Sequence, residues 1–353
     1  MPLGWLSGTR PPSAREAHMI GIISTEEDLH AAGVVVELGR RGADVVVLDT
    51  ARVPVRTRLT SRHGPGTPWQ ADWVDSEAGT VDLTGLQAIW WRRPQPHELH
   101  PELRSETDRR FAYAEVDAMV RGLWSCTDAT WVNDPDRDLA ASRKLWQLKV
   151  ATQLGLRVPR TCVTTDPAEA RAFLDSEPAG AIYKPFGGSE DAWAETRLVE
   201  RADLDVLDHV RFAPIIFQEL IPGGRDIRVT VVGNEVHAAE IRAGESAYEY
   251  DFRMDCANAP ILAHDLPEAV VARLRALMAH FGLLYGAIDL RLAPDGDYTF
   301  LEINPAGQWL FVEHATGQPI TSSMAALLHS LDQLARHSAD RSASRLQPTS
   351  SRN

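Results

Sequence analysis

The segment GAIDLRL-APDGDY-TFLEINPAG, residues 286–307, constrains this chain most. Two runs of alternating polarity flank Asp295-Gly296, a dipeptide favoured in tight β-hairpin turns. With that pair at the turn, Pro294 faces Asp297, and counting outward sets Asp289 directly opposite Glu302. Side chains alternate along a strand, so Asp289 and Arg291 share one face, as do Glu302 and Asn304 on the partner strand. Leu290, Leu292, Leu301 and Ile303 then point to the opposite, apolar face. Two opposed carboxylates repel unless a cation or a proton compensates them. Oxygen donors with one amide suit magnesium better than zinc, and magnesium leaves room for water and substrate phosphates. The expected metal ligands are Asp289, Glu302 and Asn304. Two plainer arrangements stay open: a half-exposed hairpin with a polar face, and a diagonal pair between Arg291 and Glu302.

Two lysines lie where a phosphate binder needs them. Lys144 falls in a helical stretch after Asn133-Asp134-Pro135, and Lys184 ends the apolar strand AIYK just before Pro185-Phe186-Gly187-Gly188. Glycines let backbone N–H groups approach phosphate oxygens, although a solvated lysine at a strand end reads the same way. No G-x-x-x-x-G-K-[ST] segment occurs here, which removes the P-loop mechanism. Residues 215–224, IIFQELIPGG, form an apolar strand running into a linker, where backbone groups can meet an adenine while apolar side chains cover its faces. As a core strand with a turn the segment is equally ordinary. Asp226-Ile227-Arg228 and Asp251-Phe252-Arg253 each put an arginine two residues after an aspartate, and a guanidinium can fork onto a carboxylate or phosphate, although a surface salt bridge reads the same way in sequence.

Periodicity supplies the frame. Residues 19–24 read as a strand, 26–41 as a helix closed by Gly42, and 43–49 as a second strand, a β-α-β unit. A hairpin region at 63–80, a strand at 88–91 and a helix at 102–124 complete an N-terminal α/β domain over 19–135. Beyond it, 138–156 is helical and 160–164 is a strand; Asp166-Pro167 opens another helix. Strands follow at 181–184, 215–219, 227–232 and 235–242, the last two joined by Gly233-Asn234, then a helix at 266–281 and the final hairpin. Strands beside hairpins point to α+β modules. Residues 1–18 and 337–353 lack pattern and are expected to fray.

Composition excludes several classes. Among 353 residues, 44% are hydrophobic, which supplies cores for two or three small domains; a formal net charge of -13 argues against broad nucleic-acid binding. Neither a membrane span nor a signal peptide is indicated, and three dispersed cysteines fit no disulfide framework or zinc cluster, so a cytoplasmic protein is expected.

Taken in order, Lys144, Lys184 in YKP, the QELI hinge, DIRVTVVG, DFR, DLR and EINP resemble the ATP-grasp superfamily over about residues 130–328. The resemblance implies a pre-ATP-grasp N-terminal domain followed by an ATP-grasp domain over 136–330, its central part about 136–215 and its C-terminal part about 216–330. It implies ATP phosphates on Lys144 and Lys184, and adenine at the hinge, where Gln218, Glu219, Leu220 and Ile221 lie. Asp226 would take the ribose, and Asp289, Glu302 and Asn304 would take two magnesium ions, with manganese as the alternative metal. Arg228, Arg253 and Arg291 would hold the carboxylate being activated. Within the superfamily, AIWWRRP, SRKLWQLKVATQLGLRVPRT and EINPAGQWLFVEHATGQPI look like the microviridin-type peptide maturases, the graspetide ligases. Those enzymes join Asp or Glu side chains of a ribosomal precursor peptide to Ser, Thr or Lys side chains. A leader-bearing precursor with an acidic, Thr-rich core, and a homodimer, are what this resemblance implies. Glutathione synthetases and ribosomal-protein glutamate ligases share the core motifs, so a ligase adding a free amino acid is a second reading. A non-catalytic nucleotide- or leader-binding module is a third. The loop GGSEDAW after Lys184 departs from the glutamate ligases in being poorer in glycine. No base is nominated for the attacking group beyond His314, which stands near EINP.

Overall fold

In the computed structural model, residues 19–77, 79–187, 196–242 and 259–345 are described. They divide into two compact units: one runs to Val132 and resumes at Met324, and the other spans Asn133–Ser323.

In the first unit, strand β1 (Met19–Ile23) leads to helix α1 (Leu29–Arg40), which starts where the Asp28 carboxylate accepts the His30 N–H. Gly42, at φ +72°, then returns the chain to β2 (Val45–Leu48). An antiparallel meander follows: β3 (Thr57–Gly64), β4 (Thr67–Asp75) and β5 (Gly79–Asp82). The chain continues through β6 (Leu86–Trp91), helix α2 (Glu106–Ser125) and β7 (Thr130–Val132). Strands β2-β1-β6-β7 form one parallel sheet in that order. Trp73, Trp124, Leu86 and Ile89 pack in the core that joins the meander to the sheet. This is the α/β organisation expected for the N-terminal region.

The second unit opens with two helices where one was expected. Helix α3 (Pro135–Ala141), capped by Asp134, stops before Arg143, whose extended backbone precedes α4 (Lys144–Gln153). The break makes Lys144 a first-turn residue. Next come β8 (Thr161–Thr164), α5 (Pro167–Asp175) with Asp166 as its cap, β9 (Ala181–Lys184), β10 (Arg197–Leu198), α6 (Arg201–Asp205) and β11 (Ile215–Glu219). They build an antiparallel sheet in the order β10-β9-β11-β8.

A larger sheet follows from β12 (Arg225–Val232), β13 (Glu235–Ile241) and β14 (Ile261–Ala263), then helix α7 (Glu268–Phe281), β15 (Tyr285–Leu292) and β16 (Tyr298–Asn304). Its order is β14-β13-β12-β15-β16, and each neighbouring pair is antiparallel. Strands β12 and β13 turn at Gly233-Asn234 as expected. One face of the sheet carries Ile227, Val229, Leu290 and Ile303 into a core against α7 and α4. The other face carries Asp226, Arg228, Asp289 and Arg291, with Ile241, Ala239 and Ala287 beside them. Helix α8 (Leu310–Thr316) follows β16, and α9 (Ile320–Arg345) ends the described chain. Helix α9 continues into 337–345, part of the stretch expected to lack pattern; a helix already begun extends without a new nucleation cost.

The hairpin of β15 and β16 differs instructively from expectation. Its loop has three residues, not two: Ala293 pairs with Asp297, and Gly296 sits at φ +90°. Leu292 therefore faces Tyr298, and Leu290 faces Phe300, one step out of the expected register. A bulge between Asp289 and Leu290 restores it, so Asp289 does lie opposite Glu302. The bulge also exchanges two side chains. Phe300, not Leu301, enters the core, while Leu301 comes out on the polar face beside Glu302.

Candidate active site

Three antiparallel strands carry the polar face, and their register sets the chemistry. Arg228 on β12 lies opposite Asp289 on β15, which lies opposite Glu302 on β16. Arg228 Nη1 donates to both Asp289 carboxylate oxygens, at 2.9 and 3.0 Å, and Nη2 donates to Gln308 O at 2.9 Å. Lys144, from the first turn of α4, ion-pairs with Glu302. One rung further along, Arg291 Nη1 meets Asp226 Oδ1 at 2.9 Å. The opposed carboxylates are thus compensated by cations from a neighbouring strand and a helix, and Arg291 turns to Asp226 instead of bridging diagonally to Glu302.

These groups sit in a largely dry setting. Arg228 is only 7% exposed. Burial works against its charge, but the Asp289 carboxylate outweighs that and holds the guanidinium pKa above its ordinary value. Arg228 Nε is buried with no hydrogen-bond acceptor among the described residues. A buried guanidinium donor aimed at nothing costs about 1–3 kcal/mol, so a further oxygen acceptor fits there. Two glycines make the geometry feasible. A Cβ on Gly307 would come within 2.8 Å of Arg228 Nη2, and one on Gly224 within 2.6 Å of Arg291 Nε.

A cleft opens between the two sheets of this unit. Pro159, Ile182 and the hinge residues Gln218, Glu219, Leu220 and Ile221 line one wall, and Asp226, Arg291 and Leu301 line the other. Gln218 is buried: its Nε2 donates to Thr161 Oγ1 at 3.0 Å, and its Oε1 has no partner among the described residues. Leu220 N–H is committed to Gly180 O. Lys184 ends β9 two residues beyond Ile182, hence on the strand face that looks toward the cleft. Every hinge residue singled out in the sequence therefore meets Asp226 and Arg291 in one place.

Asn304, exposed at the end of β16, accepts the Ala306 N–H through its side-chain oxygen. Among the described residues no cluster of three or more His, Cys, Asp or Glu side chains is placed to hold a metal. The set Asp289, Glu302 and Asn304 has two carboxylates and one amide, which suits an ion that takes its remaining oxygens from water and phosphates. His314 is exposed on α8, whose neighbouring Glu313 is tied to Thr321. Arg253, and the residues from Gly188 to 195, lie outside the described residues. Pro159, Ile182 and Leu301 were not marked from sequence: the first two become wall residues only when the two sheets face each other, and the third needs the bulge.

Comparison with known proteins places this arrangement. Residues 19–138 match the MvdD pre-ATP grasp domain. The macrocyclase MdnC of Microcystis aeruginosa MRC, solved with precursor peptide MdnA, is 26% identical with a TM-score of 0.79, over 88% of this chain and 99% of that one. A RiPP-associated ATP-grasp ligase of Chryseobacterium gregarium, solved with ADP and a leader and core peptide, is 27% identical with a TM-score of 0.81, over 89% and 97%. The ATP-grasp ligase PsnB, solved with minimal precursor, Mg and ADP, is 26% identical with a TM-score of 0.71, over 91% and 99%. Among curated proteins, a probable alpha-L-glutamate ligase of Mannheimia succiniciproducens is 25% identical over 206 residues, 56% of this chain and 66% of that protein, just under two thirds of its length. The chain has the ATP-grasp fold and resembles the microviridin-type ribosomal-peptide maturases across nearly all of its length.

Proposed function

We propose that this chain is an ATP-dependent carboxylate ligase that activates Asp or Glu side chains of a ribosomal precursor peptide and joins them to Ser, Thr or Lys side chains. The observation that carries this reading is the row Arg228–Asp289–Glu302–Lys144 on three strands and a helix, beside a cleft walled by the hinge residues. In this reading the hinge from Gln218 to Ile221 receives the adenine, Asp226 the ribose, and Lys144 and Lys184 the phosphates. Asp289, Glu302 and Asn304 hold two magnesium ions. Bound there, magnesium supplies positive charge across the phosphate oxygens as the γ-phosphoryl group moves.

A carboxylate is a poor electrophile. One of its oxygens attacks the γ-phosphorus in line, the bond to ADP breaks, and the product is an acyl phosphate. The hydroxyl or amine then attacks the acyl carbon, phosphate leaves, and one proton is released. Arg228 is suited to orient the substrate carboxylate, because its unpartnered Nε extends a guanidinium already fixed by Asp289 and Gln308. Arg291, paired with Asp226, adds a second cation on the same face, and Arg253, outside the described residues, keeps the carboxylate-binding role the resemblance implies. Lys144 ion-pairs with Glu302, and would be released to meet phosphate if Glu302 served as a metal ligand.

The leader segment of the precursor, an acidic and Thr-rich core, a homodimer and a cytoplasmic setting belong to the same reading. No described helix is long and apolar enough to cross a membrane. Curated similarity to amino-acid ligases keeps one further reading, transfer of a free amino acid, and a single experiment separates the two. The chain is co-expressed with candidate precursor peptides and the peptides are weighed by mass spectrometry. Loss of one water per link is expected, and none with Glu302→Ala; unmodified peptide together with a mass gain equal to a free amino acid on an acceptor rejects crosslinking.

A further inference from the structure

Gln147 stands on α4 one turn after Lys144, is 2% exposed, and has no part in the scheme above. Its Nε2 donates to Ile303 O at 2.9 Å and to Ala141 O at 2.6 Å, and its Oε1 accepts the Ile303 N–H at 3.1 Å. One side-chain amide thus takes both backbone groups of Ile303, as a neighbouring strand would. Strand β16 is the outermost of its sheet, so this edge has no further strand to hold it. Its other end is held differently, through Phe300 N–H to Arg157 O at 2.7 Å.

Ile303 is the residue between Glu302 and Asn304. With both its backbone groups pinned, the peptide planes on either side cannot rotate, and the direction of the two flanking side chains follows. Because Lys144 and Gln147 are three residues apart, they share a helix face. The same face that brings a cation to Glu302 therefore also fixes the strand that carries it. The bond to Ala141 O ties this contact to the break between α3 and α4 as well.

We propose that Gln147 is a positioning residue: by splinting the free edge of β16 at Ile303, it aims Glu302 and Asn304 for metal binding. This rests on the reading of those two residues as metal ligands. The test uses the full chain, with Mn2+ as probe, measured by spin resonance or calorimetry in the presence of ADP, and with ADP binding measured separately without metal. Gln147→Leu removes all three bonds at similar volume; Gln147→Glu keeps the acceptor for Ile303 N–H and replaces Leu if that variant does not fold. The expected result is a loss of Mn2+ affinity of about tenfold or more, with metal-free ADP binding unchanged. A folded variant that binds Mn2+ as the parent does overturns the proposal, and so does a parallel loss of metal-free ADP binding, which marks general damage. If parent and Glu302→Ala bind Mn2+ alike, the metal reading itself falls and takes this inference with it.

Discussion

At the scale of single residues, the site is a set of paired opposite charges, and one acid stands outside that pattern. Asp138 on α3 has Oδ2 buried without a hydrogen-bond partner among the described residues, and burial pushes its pKa up to about 7. The proton is bound more tightly folded than unfolded. Its contribution to stability is therefore full below the ordinary carboxylate range, declines as pH rises toward about 7, and stays low above that. Asp138→Asn keeps the shape and removes the titration. Melting temperatures of parent and variant at pH 5 and pH 8 should show the larger gain for asparagine at pH 8. An equal gain at both values, or a larger one at pH 5, would show that this carboxyl is ionised at least as readily folded as unfolded. Spacing in the chain carried the charged residues themselves, but not their partners. Asp226 and Arg291 stand 65 positions apart, and only the strand order reveals that they meet.

At the scale of elements, legibility depended on how local the cause is. Strands β9 and β11 fall where short apolar runs and the glycines after them put them, because both signals act within a few residues. Asp289 and Glu302 come out opposite each other although the loop has three residues and not two, since that loop and a bulge displace the register in opposite senses. Leu301 and Phe300 record the difference, and no local signal reveals it. The break at 142–143 was equally hidden: Gln147 makes it tolerable by bonding to Ala141 O, a contact between two helices that periodicity reads as one. Gly307 shows the cost of crowding such a junction. A Cβ there would lie 2.3 Å from the Ala287 Cβ and 3.3 Å from Asn304 O, besides its approach to Arg228. Gly307→Ala should destabilise the unit by about 1–3 kcal/mol through overpacking and lower turnover by displacing Arg228. Denaturant unfolding and ADP release together test this, and a variant as stable and active as the parent would mean that the turn after β16 gives way freely.

At the scale of the molecule, a chain with a formal net charge of -13 is proposed to draw a polyphosphate into one unit, and this is physically reasonable only if the cleft is locally cationic. Arg291 lines it, and Lys144 and Arg228 belong to the row beside it, but each is already matched by a protein carboxylate. Nucleotide alone therefore meets a nearly neutral row, whereas magnesium held by Asp289 and Glu302 would neutralise those carboxylates and leave Lys144 free for phosphate. Metal and nucleotide should stabilise each other's binding. Since the cleft lies within Asn133–Ser323, the effect should appear in the unfolding of that unit. A ligand at about a hundred times its Kd adds ~2.7 kcal/mol, which corresponds to a rise of roughly 5–10 °C in Tm for a unit of this size. ADP with magnesium should produce a rise of that order, ADP with a chelator markedly less, and Glu302→Ala should give the smaller rise under both conditions. A magnesium-independent shift in the parent, equal to that in the variant, would place the nucleotide away from the β12–β15–β16 row.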